Sequence, residues 1–117
     1  MRCDGTLTIT GATISGGTAT NGNNISYCSA KTLTIGQDAV IDGGIETRTN
    51  ETGTKIVLIG NAKINATTAG AYTLRLANTT VHIGAATNAA VVTAGTTVTD
   101  YIVTYDADGN VTDVKLP

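Results

Sequence analysis

The chain has 117 residues, a formal net charge of −2 and only 14% charged residues, which suits a single domain. Its seven Lys and Arg residues are scattered along the sequence, which argues against a nucleic-acid surface or a polybasic membrane surface, because both need clustered cations. No stretch approaches the roughly 18 consecutive apolar residues of a membrane-spanning helix, so membrane insertion is not expected.

The composition favours a narrow core made of strands. The sequence contains no Phe and no Trp, so Leu, Ile, Val and Ala must do the packing that large aromatic side chains do elsewhere. Thr is the commonest residue, and the chain has 14 Gly but a single Pro. Because Thr, Ile and Val favour strands while Gly and Asn favour bends, a stack of short strands suits this composition better than a bundle or a sandwich.

A pair of short strands recurs along the chain, which is the pattern of a repeat protein. The copies are Leu7-Thr8-Ile9 with Ala12-Thr13-Ile14, Leu33-Thr34-Ile35 with Ala39-Val40-Ile41, Val57-Leu58-Ile59 with Ala62-Lys63-Ile64, and Leu74-Arg75-Leu76 with Thr79-Thr80-Val81. The spacers contain Gly11, Gly36, Gly60 or Asn78, residues that tolerate a positive φ. The interval between copies varies, as expected when bends accept insertions and strands do not.

One face of each strand is predicted to be buried, because apolar residues alternate with variable ones. The predicted buried columns are Leu7, Leu33, Val57 and Leu74; Ile9, Ile35, Ile59 and Leu76; and Ile14, Ile41, Ile64 and Val81. Candidates for a third strand in each repeat are Ile25-Ser26-Tyr27, Ile45-Glu46-Thr47 and Ala90-Val91-Val92.

Strands that repeat in one direction, with connections too short for helices, are predicted to stack in parallel. Residues 1–99 are therefore predicted to form a right-handed parallel β-helix, a solenoid of about four to five coils. Residues 100–117 leave the repeat, with strands from Asp100 to Tyr105 and from Val111 to Leu116 around a turn-forming segment. The predicted fold class is thus all-β, with a C-terminal β-hairpin cap.

The turn of this hairpin also invites comparison with a calcium-binding loop. Asp106, Asp108 and Asn110 alternate as ligands would, but the sixth residue counted from Asp106 is Val111, where such a loop needs Gly. Counting from Thr104 instead places Lys115 at the twelfth position, where a Glu is needed. We therefore expect no metal site and no cofactor.

The opening run of the chain is rich in Thr, Gly and Asn: Gly5-Thr6-Leu7-Thr8-Ile9-Thr10-Gly11-Ala12-Thr13-Ile14-Ser15-Gly16-Gly17-Thr18-Ala19-Thr20-Asn21-Gly22. It resembles the repeats of right-handed β-helix regions in large bacterial surface and adhesin-like proteins, a group that resembles the pectate-lyase superfamily in fold. The resemblance covers about the first two thirds of the chain and its motif is of low complexity. It implies an extracellular location on a bacterial cell surface, and it transfers no catalytic residue.

A groove beside the second repeat is the candidate binding site. Tyr27, Asp42, Glu46 and Arg48 would line it, and they would suit a glycan ligand. Asp38 is the third acidic residue that could converge there, but acidic residues at bends are usually solvated surface.

A second constellation, Ser15, Asp42, Asn65 and His82, follows the second strands and is predicted to form a column. Strands in a sheet lie about 4.8 Å apart, so His82 would be too far from Asp42 and Ser15 for a hydrogen-bonded triad. We therefore predict a polar ladder and no catalytic residue.

Two cysteines fall at nearly the same place in successive repeats. Cys3 and Cys28 could form a disulfide in an oxidising compartment, because the spacing of neighbouring strands lies within the Cα range of disulfides. Two free thiols are the other interpretation, and the sequence leaves the choice open.

Taken together, these patterns predict a non-catalytic extracellular structural or adhesive module whose partner is a glycan or a host or cell-surface protein. The alternative is a polysaccharide-binding or polysaccharide-cleaving domain of lyase or tailspike type. An ice-binding solenoid is less favoured, because a Thr-x-Thr array starts at Thr6/Thr8 and Thr32/Thr34 but does not continue at Ile56/Leu58. End-to-end self-association is expected if the first coil leaves its edge open.

Overall fold

The computed structural model describes residues 2–18, 25–66, 71–84 and 90–117. Within them every regular element is a β-strand, and no helix there has the length and apolar character needed to cross a membrane. The predicted all-β class is therefore confirmed. In chain order the strands are β1 (Arg2–Cys3), β2 (Leu7–Ile9), β3 (Thr13–Ile14), β4 (Ile25–Tyr27), β5 (Thr32–Ile35), β6 (Val40–Asp42), β7 (Ile45–Thr47), β8 (Thr54–Leu58), β9 (Lys63–Asn65), β10 (Leu74–Leu76), β11 (Thr79–Ile83), β12 (Ala90–Thr93), β13 (Thr99–Tyr105) and β14 (Val111–Lys115).

The strands form three sheets whose main pairing is parallel. Sheet A has the order β1-β4-β7-β10-β13-β14, sheet B the order β12-β11-β8-β5-β2, and sheet C the order β3-β6-β9. Each of β1 to β8 pairs in parallel with the strand three places later in the chain. We call β2–β4, β5–β7 and β8–β10 the first, second and third strand triplets. The predicted parallel pairing of successive repeats is confirmed.

Apolar columns run through the triplets because the pairing register is kept from one to the next. Leu33 pairs with Ile56 in sheet B, and Ile41 pairs with Ile64 in sheet C. In sheet A, Ile45 pairs with both Ile25 and Leu74, and the same column reaches Tyr101. The large side chains with less than 2% exposure are Tyr27, Ile25, Leu33, Ile35, Ile41, Ile45, Ile56, Leu58, Ile64, Leu74, Leu76 and Val81.

The predicted register is wrong by one residue in the third triplet. Ile56 and Leu58 face the core and are fully buried, whereas Val57 is only half-buried. Val57 pairs with Thr34 on the outer face of sheet B. Four consecutive apolar residues, 56–59, satisfy a period-two pattern in either phase. The side of β8 that faces the core is decided instead by Thr54 and Lys55. The charged Lys55 points to solvent, so its neighbours Thr54 and Ile56 face inwards.

The fourth predicted copy is also placed in different sheets from those expected. Strand β10, with Leu74 and Leu76, belongs to sheet A as the last strand of the third triplet, and β11 belongs to sheet B. Strand β12, predicted as a third strand, pairs antiparallel with β11. A short alternating segment fits any inward-facing strand, so the pattern located these strands without identifying their sheet.

Positive φ angles occur at the bends between sheets B and C. Gly11 and Gly60 adopt φ values of 60° and 58°, as their position predicts, but in the second triplet Asp38 takes this conformation with φ 60°. Gly36 is needed for a different reason, because a Cβ at this position would collide with the Thr10 Cγ2 methyl group.

Buried hydroxyl groups hold the bends between sheets A and B. Thr47 Oγ1 donates to Ala77 O at 3.2 Å, and it accepts hydrogen bonds from Ala77 N at 3.0 Å and from Thr79 Oγ1 at 2.8 Å. At the bend between β4 and β5, Ser29 O accepts a hydrogen bond from Thr54 Oγ1 at 2.7 Å. These side chains satisfy backbone groups that would otherwise be buried without partners.

The C-terminal segment forms the predicted hairpin. Strands β13 and β14 are antiparallel, and β13 pairs antiparallel with β10 at the end of sheet A. The hairpin also reaches the bend before sheet C, where Val111 N donates to Gly60 O at 2.8 Å. Tyr105 Oη accepts from Ile64 N at 2.8 Å and donates to Ile64 O at 3.3 Å. The hairpin therefore satisfies backbone groups along the outer edge of β9.

Candidate binding site

Tyr27 lies in the core and does not line a groove. Its side chain is 0% exposed, and its hydroxyl donates a hydrogen bond to Gly5 O at 2.6 Å. The residue occupies the inward face of β4, where its register partner in the second triplet is the buried Thr47. Tyr27 fills space beside a smaller side chain, so the structure removes it from the predicted surface site.

Asp42 is engaged in a polar ladder at the end of sheet C. Asn65 Nδ2 donates to Asp42 Oδ1 at 2.7 Å, and the two residues are register partners. A second pair lies at the other end of the same strands, where Asn61 Nδ2 donates to Asp38 Oδ1 at 2.8 Å and Asp38 N donates to Asn61 Oδ1 at 2.9 Å. Both carboxylates are thus bound to amides of the next triplet.

His82 does not belong to this ladder. It lies in β11 of sheet B, where it pairs with Val57 and is buried to 8% exposure. The predicted column of Ser15, Asp42, Asn65 and His82 therefore loses its histidine. The error follows from the misplaced fourth copy, which put β11 in the wrong sheet.

Glu46 and Arg48 are brought together at the end of β7. Glu46 is half-buried and Arg48 is exposed. They line a shallow pocket of about 340 Å³, and the other residues that line it are Thr47, Thr49, Asn50 and Val98. Val98 is 43% exposed, which is unusual for a large apolar side chain in this protein. We call this pocket the β7 pocket.

A row of charged side chains crosses sheet A beside the β7 pocket. Glu46 pairs with Ser26 on one side and Arg75 on the other, and Arg75 pairs with Asp100. Arg75 Nε lies 3.4 Å from Asp100 Oδ1, and its guanidinium stacks over the Tyr72 ring at 5.4 Å. Glu46 Oε2 is buried and has no hydrogen-bond partner. Arg75 is thus held by its neighbours, while Glu46 retains unused acceptor capacity.

A second, larger depression of about 450 Å³ lies at the bend between sheets B and C. Its lining residues are Thr10, Gly11, Gly36, Gln37, Asp38 and Ile59. The carboxylate there belongs to Asp38, which Asn61 already binds. The carboxylate of this depression is therefore already bound to a neighbouring side chain, which makes it a poorer candidate than the β7 pocket.

No metal centre is assembled among the described residues. No group of three or more His, Cys, Asp or Glu side chains is placed to hold a metal ion there. At the hairpin turn, Asp106 Oδ1 accepts hydrogen bonds from Asp108 N and Asn110 N, each at 2.9 Å. This carboxylate shapes the turn by binding its backbone amides.

Of the two cysteines, the structure describes the side chain of Cys28. Cys28 is a buried free thiol that contacts Ser26 Oγ at 3.6 Å. The backbone of Cys3 pairs with Tyr27, one residue away from the expected partner, and the Cys3 side chain lies outside the described part of the structure. Cys28 is thus unbridged in this structure, and its oxidation to a disulfide with Cys3 in an oxidising compartment stays a prediction.

Sequence reasoning found two residues of the β7 pocket and missed its apolar wall. Val98 follows β12, 98 − 46 = 52 residues after Glu46, and its segment shows no repeat pattern. Comparisons with protein-family models, curated proteins and solved structures gave no match to this chain. The function is therefore argued from the geometry and chemistry of the site.

Proposed function

We propose that the protein is a non-catalytic structural or adhesive module of a bacterial surface protein, and that its triplets form a right-handed parallel β-solenoid. The parallel pairing of every third strand, with apolar columns inside, supports the solenoid interpretation. We propose right-handed winding because connections between parallel strands of one sheet are almost always right-handed. In this proposal residues 1–99 form the coils and residues 100–117 cap them, outside the cell.

The proposal places the adhesive contact at the β7 pocket, with a glycan as the ligand. A carboxylate accepts and a guanidinium donates paired hydrogen bonds, so Glu46 and Arg48 offer complementary partners to the neighbouring hydroxyls of a sugar. The exposed Val98 gives the pocket an apolar wall, against which the C–H face of a sugar ring can pack. The single observation that carries this assignment is that the side chains of Glu46, the exposed Arg48 and the exposed Val98 line one pocket.

The same geometry favours binding over cleavage. Glycoside hydrolysis uses two carboxyl groups that face each other across the scissile bond. Glu46 lies in sheet A, whereas Asp38 precedes strand β6 of sheet C and Asp42 ends it. These two carboxylates are bound to Asn61 and Asn65. No second carboxylate lines the β7 pocket among the described residues.

A glycan-array screen combined with an assay for released reducing sugar tests this proposal. We expect the chain to bind glycans without releasing sugar, and we expect Arg48→Ala and Glu46→Gln each to reduce binding at least tenfold. Lys55→Ala is the matched control, because Lys55 is an exposed cation on sheet B, outside the pocket. Release of sugar would support the polysaccharide-cleaving alternative, and binding that resists both pocket substitutions would refute the site.

A further inference from the structure

Strand β2 forms an open edge of sheet B. Within the described residues no strand pairs with its outer side. Leu7 is half-buried, whereas its register partner Leu33 and the next member of the column, Ile56, are 0% exposed. The apolar column of sheet B is therefore covered at the second and third triplets and partly open at the first.

The backbone of Thr8 faces this open edge. Ile9 O accepts a hydrogen bond from Gly36 N at 2.7 Å, so the backbone groups of Ile9 point towards β5. Successive residues of a parallel strand direct their backbone groups alternately to the two sides. The N–H and C=O groups of Thr8 thus point away from β5, and they are available for pairing.

The other outer edges of the sheets are better protected against strand addition than β2, whose one protective feature is its length of three residues. Edge strand β14 carries Asp113 and Lys115, and the pairing of β12 contains a register shift at Val81/His82. The edges β1 and β3 are only two residues long. Charges, bulges and short length are the common protections of exposed edges. Strand β2 is uncharged and regular, with exposed Thr8 on its outer face.

We propose that two copies of this chain associate by pairing their β2 strands antiparallel about a two-fold axis at Thr8. In that arrangement Thr8 of each copy exchanges both backbone hydrogen bonds with its counterpart. Leu7 of one copy lies opposite Ile9 of the other, so apolar side chains meet on the core side of the joined sheet. The two threonines meet on the outer face, a favourable cross-strand pair with no charge repulsion.

A second copy fits this edge because β2 is complementary to itself in the antiparallel direction. A head-to-tail chain of copies is disfavoured, because sheet B ends at its other side in the antiparallel β12. In sheet C the opposite end is occupied as well, since Tyr105 Oη binds both backbone groups of Ile64. The contact is therefore isologous and closes at two copies.

Sedimentation velocity over a concentration series tests the proposal. We expect a species of twice the 11.8 kDa chain mass that dissociates on dilution. Thr8→Pro removes the donor at the edge without removing a bond to β5, and Thr8→Lys places two like charges opposite each other. Each substitution is expected to weaken association at least tenfold, with the circular dichroism spectrum unchanged.

Thr34→Lys is the matched control. Thr34 is the register partner of Thr8 on the neighbouring strand β5, so this substitution adds the same charge to the same face of the sheet but away from its edge. It is expected to leave the dimer intact. A wild-type chain that remains monomeric at every concentration overturns the proposal. So does a series of species larger than the dimer, or a Thr8→Lys variant that associates as well as Thr34→Lys.

Discussion

At the scale of single residues, the side of a strand on which a residue lies decides its contribution to stability. Ile41 faces the core of sheet C between Ile14 and Ile64 and is 0% exposed. Thr34 points outwards from sheet B, where it contacts Thr8 and Val57 as cross-strand neighbours. Residues of the same repeat thus differ in what they contribute, and in the second triplet the alternation in the sequence was enough to tell inner from outer positions.

Ile41→Ala is expected to lower the free energy of unfolding by about 2 to 5 kcal/mol, because it removes buried methyl groups and leaves a cavity. Thr34→Ala is expected to change it by less than about 0.5 kcal/mol, as is usual for surface positions. Urea titration of both variants measures the difference. Equal losses would contradict the assignment of inner and outer faces.

At the scale of elements, one tyrosine of the hairpin ties it to sheet C. Tyr105 Oη accepts from Ile64 N and donates to Ile64 O, and Lys63 Nζ lies 5.3 Å from the centre of the Tyr105 ring. Burial raises the pKa of the Tyr105 phenol, and the hydrogen bond with the Ile64 backbone opposes part of this rise. The neutral phenol is therefore the form that the folded chain favours.

This raised pKa predicts a loss of stability in alkali. The stabilising effect of the neutral phenol is fully present below the usual tyrosine pKa of about 10, and it is lost as the pH rises from there through the higher pKa of the folded state. Tyr105→Phe is expected to be less stable at neutral pH, because it leaves Ile64 N without its acceptor. Its stability should also fall less steeply above about pH 10. Urea titrations of both proteins from neutral to alkaline pH test this, and parallel curves would contradict it.

The sequence predicted the positions of the strands along the chain better than it predicted the sheet to which each strand belongs. Strands β4 and β7 and the hairpin were located because alternation and turn residues are local signals. The register of β8 was missed, because its apolar run fits two phases. The sheets of β10 and β11 were missed because a short alternating segment fits an inward-facing strand of any sheet. Strand β12 was predicted as the third strand of a repeat, whereas it pairs antiparallel with β11.

At the scale of the whole molecule, the three faces differ in chemistry. The outer face of sheet A carries the charged row and the β7 pocket, while sheet C carries the Asp–Asn ladder. The pocket was only half predictable, because Glu46 and Arg48 are close in sequence but Val98 meets them through the fold. A surface this varied is expected to act through one defined site rather than through a repeated face.

The outer face of sheet B is accordingly not expected to bind ice. Thr8 and Thr34 are neighbours there, but the next positions in the row are Val57 and His82, so a regular threonine array ends after two strands. We expect no thermal hysteresis from the purified protein. A hysteresis that disappears in Thr34→Val would contradict this and would restore the ice-binding alternative.

The tyrosines also give the molecule a set of optical labels. Because the chain has no Trp, its intrinsic ultraviolet emission comes from four tyrosines, and these lie in different parts of the fold. Tyr27 is buried within the first strand triplet, whereas Tyr101 and Tyr105 lie in the hairpin. Single tyrosine-to-phenylalanine variants therefore allow fraying at either extremity to be followed separately, without any added fluorophore.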